Sequence, residues 1–591
     1  MRSLLKIAKT GYLLLSALLI LAGVGLAFFS DTFYPILAVL LGILFLVFGA
    51  VKLAGFFSKD PYQLVFESDL VFGILYLALG LLLLLRPAHT MAFFGIVFGL
   101  MLLADGLTRV RIALDARPFG IRAWWLILVS AIATAILGVV LLFHPGEGTQ
   151  VLTQLLGISL MVVLLFTAGI WFTLRTRLLP VRLFRDMIAA VCEKNQNKEG
   201  LSSFQTLVVS TATRVGMGNL VGVVAAVSAG GAGAVFWMWV TALLGASTSF
   251  IESTLAQKYR QPDPLYGGWR GGPAYYLHAL AERRRGKKLR HSVTAALFAV
   301  SGLICWCGIS QVISNSVSSA FQNAFHIPPL TTTLVLTALA ALIVLRKNAT
   351  VKSLDVMVPI MAVCYFVLTV GILAVNFRQL PAVLGRIFAE AFGLRQMAAG
   401  GFGAVLMNGV KRGLFSNEAG SGSAPCAAAA AACDDPVKMG FVQALGVLID
   451  TVVICSCTAF LMLLVPQDLT AGLSGMDLLQ TAMQYHLGGF GTVFIAATLA
   501  LFSFSTFLGV LYYARSNVAY LCGDNWWSQT VYKLIALVML LIGGLQAYTV
   551  VWDLGDVGIG LMTIFNMIAL YPLSGEAMDA LNDYEKRKKL Q

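Results

Sequence analysis

Thr211-Ala-Thr-Arg-Val-Gly-Met-Gly-Asn-Leu-Val-Gly-Val223 places one cation, three glycines and an asparagine in a segment otherwise apolar enough to cross a bilayer. A plain anchor has no use for that composition. Glycine weakens a helix by roughly 1 kcal/mol relative to alanine. Unpaired backbone in lipid costs several kcal/mol per group and survives only where protein or water covers it. The stretch therefore predicts a discontinuous helix lining a solute site near the bilayer midplane.

The rest of the chain agrees with a membrane setting. It has 591 residues, 59% hydrophobic and 12% charged, with a mean hydropathy of +0.84. Soluble domains carry roughly twice that charged fraction. A net charge of +13 would suit nucleic acid, but the lysines and arginines sit in short loops between apolar spans, as the positive-inside rule requires. Nine cysteines lie mostly within apolar segments, Cys305-Trp-Cys307 and Cys455-Ser-Cys457 among them, and no CxxC pair exists. They read as small packing residues rather than zinc or redox ligands. Arg2, Lys6 and Lys9 before an apolar run imitate a signal peptide. The run from Gly11 to about Phe29 is long for one, has no clean cleavage site, and reads as a retained span.

At about 20 apolar residues per crossing, spans are expected near 11–29, 34–57, 68–86, 90–113, 123–143 and 151–174. They continue near 206–230, 234–257, 292–324, 330–346, 353–376, 398–425, 438–465, 489–521, 530–547 and 550–572. This is an all-α polytopic membrane protein of about sixteen helices. The basic loops, including Glu282-Arg-Arg-Arg-Gly-Lys-Lys-Leu-Arg290 and Lys586-Arg-Lys-Lys589, fall on one face if both termini are cytoplasmic. Arg86 and the segment carrying Arg378, Arg386 and Arg395 are the exceptions placed outside.

Two parts are expected. Residues 1–150 hold glycine-spaced apolar repeats, such as Gly42-Ile-Leu-Phe-Leu-Val-Phe-Gly49 and Gly73-Ile-Leu-Tyr-Leu-Ala-Leu-Gly80, with Asp105 the one acidic residue deep in a span. Glycines seven apart share a helix face and allow close packing, so this part is a helical membrane module of unassigned role. Residues 151–591 carry the chemistry: an extra helix at 151–174, a ten-helix core over about 206–572, and a cytoplasmic tail at 573–591.

Three constellations stand out in the second part. At Gly216-Met-Gly-Asn219, freed carbonyls can ligate a cation and freed amides can bind a carboxylate. Small-residue helix packing is the plainer reading. At Gly409-Val-Lys-Arg-Gly-Leu-Phe-Ser-Asn-Glu-Ala-Gly-Ser-Gly-Ser-Ala-Pro425, an apolar helix reaches Lys411 and Arg412, then a break holding Asn417 and Glu418. A charge inside the membrane is a functional candidate by default. Glu418 is expected to pair with Arg412 or Arg214, unless the segment is a cytoplasmic loop after a shorter helix. In Phe502-Ser-Phe-Ser-Thr-Phe507, the hydroxyls of Ser503, Ser505 and Thr506 suit a hard monovalent cation, although membrane-helix hydroxyls commonly bond the i−4 carbonyl. Asp450 is a second buried carboxylate with no role assigned. Gln311 and Asn315 share a helix face, facing either a cavity or a neighbouring helix. The two interruptions fall in the first and sixth of the ten core helices, which indicates a 5+5 inverted repeat with a midplane site.

Arg214-Val-Gly-Met-Gly-Asn219, Phe236-Trp-Met-Trp-Val-Thr-Ala-Leu-Leu-Gly245, Glu252-Ser-Thr-Leu-Ala-Gln-Lys-Tyr-Arg260, Gly271-Gly-Pro-Ala-Tyr-Tyr276, Arg412-Gly-Leu-Phe-Ser-Asn-Glu-Ala-Gly420 and Asp450-Thr451 resemble the alanine or glycine:cation symporter family over about residues 151–572. The resemblance implies the leucine-transporter-like fold and sodium-coupled uptake of a small neutral amino acid across the cytoplasmic membrane by alternating access. It implies no enzyme activity and no cofactor beyond Na+ as coupling ion. A sodium site is implied at backbone around Val215 with Ser505 and Thr506. Substrate contacts are implied at Gly216, Met217, Gly218, Asn219, Gln311, Asn315, Thr506 and Val510. Arg214, Arg412, Asn417, Glu418 and Asp450 are candidates for coupling or gating. Residues 1–150 resemble the six-helix acid-resistance membrane protein (HdeD-like) family.

The chain departs from the symporter pattern in several places. Met217 stands where the family has Thr, Ala232 where it has Pro, Ser421 where it has Met, and Ala514-Arg515 where it has Gly-Glu. Val510 replaces a Trp that lines the pocket, which predicts room for a side chain larger than alanine's. Three other functions remain in view. A proton-coupled carrier or channel would use Glu418 and Asp450 as relays. An intramembrane hydrolase using Ser421 or Ser423 would lack a partner histidine in that stretch. The first 150 residues would be a regulatory partner without transport of their own.

Overall fold

The computed structural model of the chain describes residues 168–193, 202–345, 349–392, 401–470, 472–546 and 548–590, with four single positions near the N-terminus, Leu46, Ala50, Leu77 and Leu81. The chain divides into two units, Met1–Ser159 and Leu160–Gln591, and the account below concerns the second. The six spans expected before residue 160 or ending soon after it, and Asp105, lie outside the described residues, apart from the end of the 151–174 helix.

The second unit is built of helices: α1 (Phe184–Cys192), α2 (Ser203–Gly230), α3 (Gly233–Lys258), α4 (Pro273–Arg285), α5 (Val293–Phe325), α6 (Pro329–Val344), α7 (Ala349–Val375) and α8 (Leu380–Ala391). They are followed by α9 (Gly401–Asn417), α10 (Ala424–Ala430), α11 (Pro436–Leu463), α12 (Gly475–Leu487), α13 (Gly489–Cys522), α14 (Trp526–Gly543) and α15 (Tyr548–Leu590). A two-stranded hairpin, β1 (Gln261–Pro262) with antiparallel β2 (Trp269–Arg270), joins α3 to α4. Among the described residues, α2, α3, α5, α11, α13, α14 and α15 are long and apolar enough to cross a bilayer. Residues Ala362–Val375 and Phe377–Ala391 form a pair bent by 75° that can count as one more.

The ends of these helices follow the local chemistry. Ser202 begins α2 with a reciprocal capping box to Gln205, satisfying two otherwise orphaned amides. Ser292, Asp435 and Asn525 cap α5, α11 and α14 through side-chain oxygens. Between helices, small residues set the spacing. A Cβ on Gly308 would lie 2.4 Å from the Gly555 nitrogen, and one on Gly558 would lie 2.3 Å from Cys305 Cα, so α5 and α15 touch at backbone distance. This is how membrane helices gain packing in a solvent that gives no hydrophobic drive between them.

Two expectations change. The 398–425 span is a helix only to Asn417, followed by a turn and the short α10. The 573–591 tail is not a separate segment, because α15 continues to Leu590 with Pro572 inside it. Its charged last turns stay helical against partners: Glu585 meets Arg182 at 2.7 Å, Lys588 meets Asp186 at 2.6 Å, and Arg587 meets Asp435 at 2.5 Å. A hydropathy window ends where apolarity ends, but a helix ends only where its backbone bonds do.

Candidate functional site

The decisive stretch of α2 is wound. Arg214–Gly222 forms a π-helix between ordinary turns Ser203–Thr213 and Val223–Gly230. The expected unwinding at Gly216–Asn219 is therefore corrected. A π-turn keeps the backbone bonded i→i+5 while widening the helix, a local strain common at functional sites, and the glycines serve contact rather than a gap. A Cβ on Gly216 would fall 1.9 Å from Thr506 Oγ1, and one on Gly218 would fall 3.1 Å from Ser416 Cα. The π-stretch thus rests directly on α13 and α9. Met217 N–H donates to Thr506 Oγ1 at 3.2 Å. Thr506 and Ser505 both donate to the Phe502 carbonyl, at 2.9 and 2.8 Å. Val215 lies within the same π-stretch, and Val510 is buried one turn beyond Thr506.

The second interruption is unwound. After α9 the chain turns at Glu418 (φ 55°), Gly420 (φ 82°) and Gly422 (φ 86°) before α10 begins. Glu418 sits in the left-handed region that disfavours side chains, and its carbonyl accepts from Ser421 Oγ at 2.7 Å. Its carboxylate accepts from Ser423 Oγ at 2.6 Å and from Thr213 Oγ1 at 3.5 Å. The expected ion pair with Arg412 or Arg214 is not formed. Arg412 instead makes a two-pronged contact with Asp556, at 3.2 and 3.0 Å, and stacks 4.0 Å over the Trp552 ring. Lys411 joins the same carboxylate at 2.6 Å. Arg214, fully buried, donates to the Gln443 carbonyl and side-chain oxygens at 3.3 and 3.1 Å and to Ser249 at 3.4 Å. Gly446 leaves room for that guanidinium.

Asp450 lies in a second π-stretch, Ile449–Cys455 of α11, packed against the first. Its carboxylate accepts from Ser416 Oγ at 2.9 Å and Thr451 Oγ1 at 2.8 Å, and its carbonyl accepts from Asn219 Nδ2 at 3.1 Å. Asn417 Oδ1 accepts from the Ala419 amide at 3.0 Å. Gly216, Met217, Gly218, Asn219, Ser505, Thr506, Asn417, Glu418 and Asp450 therefore gather around the two π-stretches and the Glu418 turn. Gln311 and Asn315 lie apart from them. Gln311 Nε2 reaches Met539 Sδ at 3.2 Å, and Asn315 Nδ2 donates to the Gln546 carbonyl at 2.7 Å, so both bind the region of α14 and its C-terminal end. Ser503 is buried without a hydrogen-bond partner.

Several departures acquire a local reason. The amide of Ala232 donates to Glu390 at 2.7 Å, a bond proline cannot make. Arg515 lies 4.0 Å over Tyr512 and 4.9 Å over Tyr266 of the hairpin region. Reading the motifs alone gave no role to Glu252, Asn566 and Tyr276. Glu252 accepts from the Gly420 amide at 3.2 Å and from Asn566 Nδ2 at 2.9 Å, and Tyr276 donates to Asn566, so these side chains clamp the Glu418 turn. The signal for Glu252 was there: a carboxylate halfway along an apolar span. Asp556 carried the same signal.

A multi-pass helical bundle with two distorted helices around buried carboxylates is the architecture of a membrane transporter. The sequence profile of the sodium:alanine symporter family matches residues 147–591, and the chain belongs to that family. A short repeat of unknown function, the HdeD-like type, matches residues 14–85 and 71–143. The chain is 41% identical over 451 residues to the probable sodium/glutamine symporter GlnT of Bacillus subtilis (strain 168), covering 74% of this chain and 92% of that one. It is 39% identical to the amino-acid carrier protein AlsT of the same organism, over 72% of this chain and 89% of that one. It is 34% identical to the sodium/alanine symporter AgcS of Methanococcus maripaludis, over 73% and 95%. These relatives are carriers, not enzymes, and the sodium-coupled ones among them are the family's namesake activity.

Proposed function

We propose that the chain imports a neutral amino acid across the cytoplasmic membrane together with sodium, by alternating access. The observation that carries this reading is the seat formed where Gly216 meets Thr506 at backbone distance. There the carbonyls near Val215 and the hydroxyls of Ser505 and Thr506 hold sodium. Beside it, Gly216, Met217, Gly218 and Asn219 take the zwitterion, and its side chain points towards Val510. The sodium charge offsets the substrate carboxylate, which makes the coupling. Asn315 lines a cavity of about 620 Å³ with Gln322, Pro329, Asp477 and Gln546; we place it on the outer face as a vestibule, with Gln311 beneath it. Arg214, Arg412, Asn417 and Glu418 act in the transition between states.

In this reading residues 1–150 are an HdeD-like module and 151–591 the symporter. The ten core helices form a leucine-transporter-like 5+5 repeat, some sixteen helices span the membrane, and both termini are cytoplasmic. Small residues at position 510 favour a substrate larger than alanine, in keeping with a relative named for glutamine. Proteoliposomes of the purified chain test this. A sodium gradient should drive uptake of labelled alanine or glutamine, and a proton gradient should not. A second reading, proton coupling through buried Glu418 and Asp450, draws on relatives named sodium/proton-dependent alanine carriers. Uptake driven by a pH gradient without sodium would favour it.

A further inference from the structure

We propose that Asp450, Thr451, Ser416 and Asn219 form a second site for a monovalent cation, separate from the Ser505–Thr506 seat. This rests on the sodium-symport reading and extends it to a second ion. All four side chains are fully buried, and they come from three elements: the π-stretch of α2, the end of α9 and the π-stretch of α11.

The donor set is made of hard oxygens. Ser416 Oγ lies 2.9 Å from Asp450 Oδ2 and 3.4 Å from Asn219 Oδ1, and Thr451 Oγ1 lies 2.8 Å from Asp450 Oδ2. Asn219 spends its NH2 on the Asp450 carbonyl at 3.1 Å, which leaves its amide oxygen on the Ser416 side. Asp450 Oδ1 is buried and makes no hydrogen bond with protein. A buried ionised oxygen without a partner is costly, and in a membrane span it needs a counter-charge. The neighbours do not fully supply one. Glu252, Glu418 and Asp450 all lie in electrostatic reach of Arg214, three carboxylates to one guanidinium. Glu252 and Glu418 are each anchored by donors from two other residues. Asp450 has only two hydroxyls, and those can turn their protons away. Ser416 can point its proton at Cys455 Sγ, 3.1 Å off. One carboxylate with neutral hydroxyl and amide oxygens suits a singly charged hard cation better than a divalent one, which collects several carboxylates. The two π-stretches that meet here supply the widened backbone through which the ion would be dehydrated.

The test is the sodium-to-amino-acid flux ratio in proteoliposomes of the full chain, measured with labelled sodium and labelled alanine or glutamine, for the wild type, Asp450→Asn and Thr451→Val. Asparagine is isosteric, and Thr451→Val guards against a folding defect in the first variant. Monodispersity on size exclusion is checked for both. The proposal expects two sodium ions per amino acid in the wild type. It expects one in Asp450→Asn, and in Thr451→Val a half-saturating sodium concentration raised by at least about tenfold. A wild-type ratio of one, with uptake still lost in Thr506→Ala, overturns this site and leaves the symport reading standing. So does a ratio of two that both variants retain. A second charge that follows pH rather than sodium identifies a proton at Asp450 and also overturns it. Uptake indifferent to sodium overturns both.

Discussion

Replacing Gly216 with alanine puts one methyl group into the tightest junction of the site. The new Cβ would lie 1.9 Å from Thr506 Oγ1, with the Phe502 carbonyl oxygen at 3.2 Å and Thr506 Cβ at 3.3 Å. The overlap with the hydroxyl is too large for a slight adjustment. One escape is rotation of Thr506, which breaks its bonds with the Met217 amide and the Phe502 carbonyl and leaves a buried donor unmet, at about 1–3 kcal/mol. The other is separation of α2 from α13, an overpacking cost of about 1–3 kcal/mol. Either route should lower thermal stability in detergent and abolish sodium-driven uptake, because the hydroxyl or the backbone facing it has moved. The double variant Gly216→Ala with Thr506→Ala removes the clashing atom. It should recover most of the stability and none of the transport. A Gly216→Ala protein with wild-type stability and sodium dependence would refute the argument that this close approach builds the site.

Other expectations follow from neighbouring contacts. Asp556→Asn leaves Lys411 and Arg412 without their shared carboxylate and should cost about 3–5 kcal/mol, read as lost monodispersity or a large fall in melting temperature; Lys411→Ala should cost less, because that side chain is 22% exposed. Val510→Trp should shift preference from glutamine toward alanine and glycine in competition uptake, and unchanged preference would place Val510 away from the substrate. Outside the spans, the Leu289 amide donates to Glu282 at 2.8 Å and, with burial opposing slightly and His278 helping, holds that carboxyl below its usual range. The contact is therefore fully present above the ordinary glutamate range near about 4.3 and is lost as pH falls through the lower folded value. Hydrogen exchange at the Leu289 amide should speed up on that acidification, and Glu282→Gln should remove the pH dependence.

Much of this was legible in the residues. Spans expected at 206–230, 234–257, 292–324 and 489–521 match α2, α3, α5 and α13 to within a few positions, because apolar length and glycine or proline punctuation are local signals. The region of the site was legible too, since glycine, asparagine and buried acids have few other reasons to sit mid-membrane. Partners were not. Which carboxylate meets Arg412 depends on a residue 144 positions away, Asp556, and no spacing rule reaches that far. Nor does composition distinguish an unwound turn from a π-turn. Both need glycine, and only the approach of Thr506 on a distant helix shows what Gly216 is for.

The sodium-activation curve of amino-acid uptake, measured for the wild type and Thr506→Ala in the same proteoliposomes, bears most directly on the claim that the π-stretch and α13 together hold the coupling ion. Removal of the hydroxyl should raise the half-saturating sodium concentration at least about tenfold or erase sodium stimulation altogether. Two superimposable curves would mean that the ion binds elsewhere.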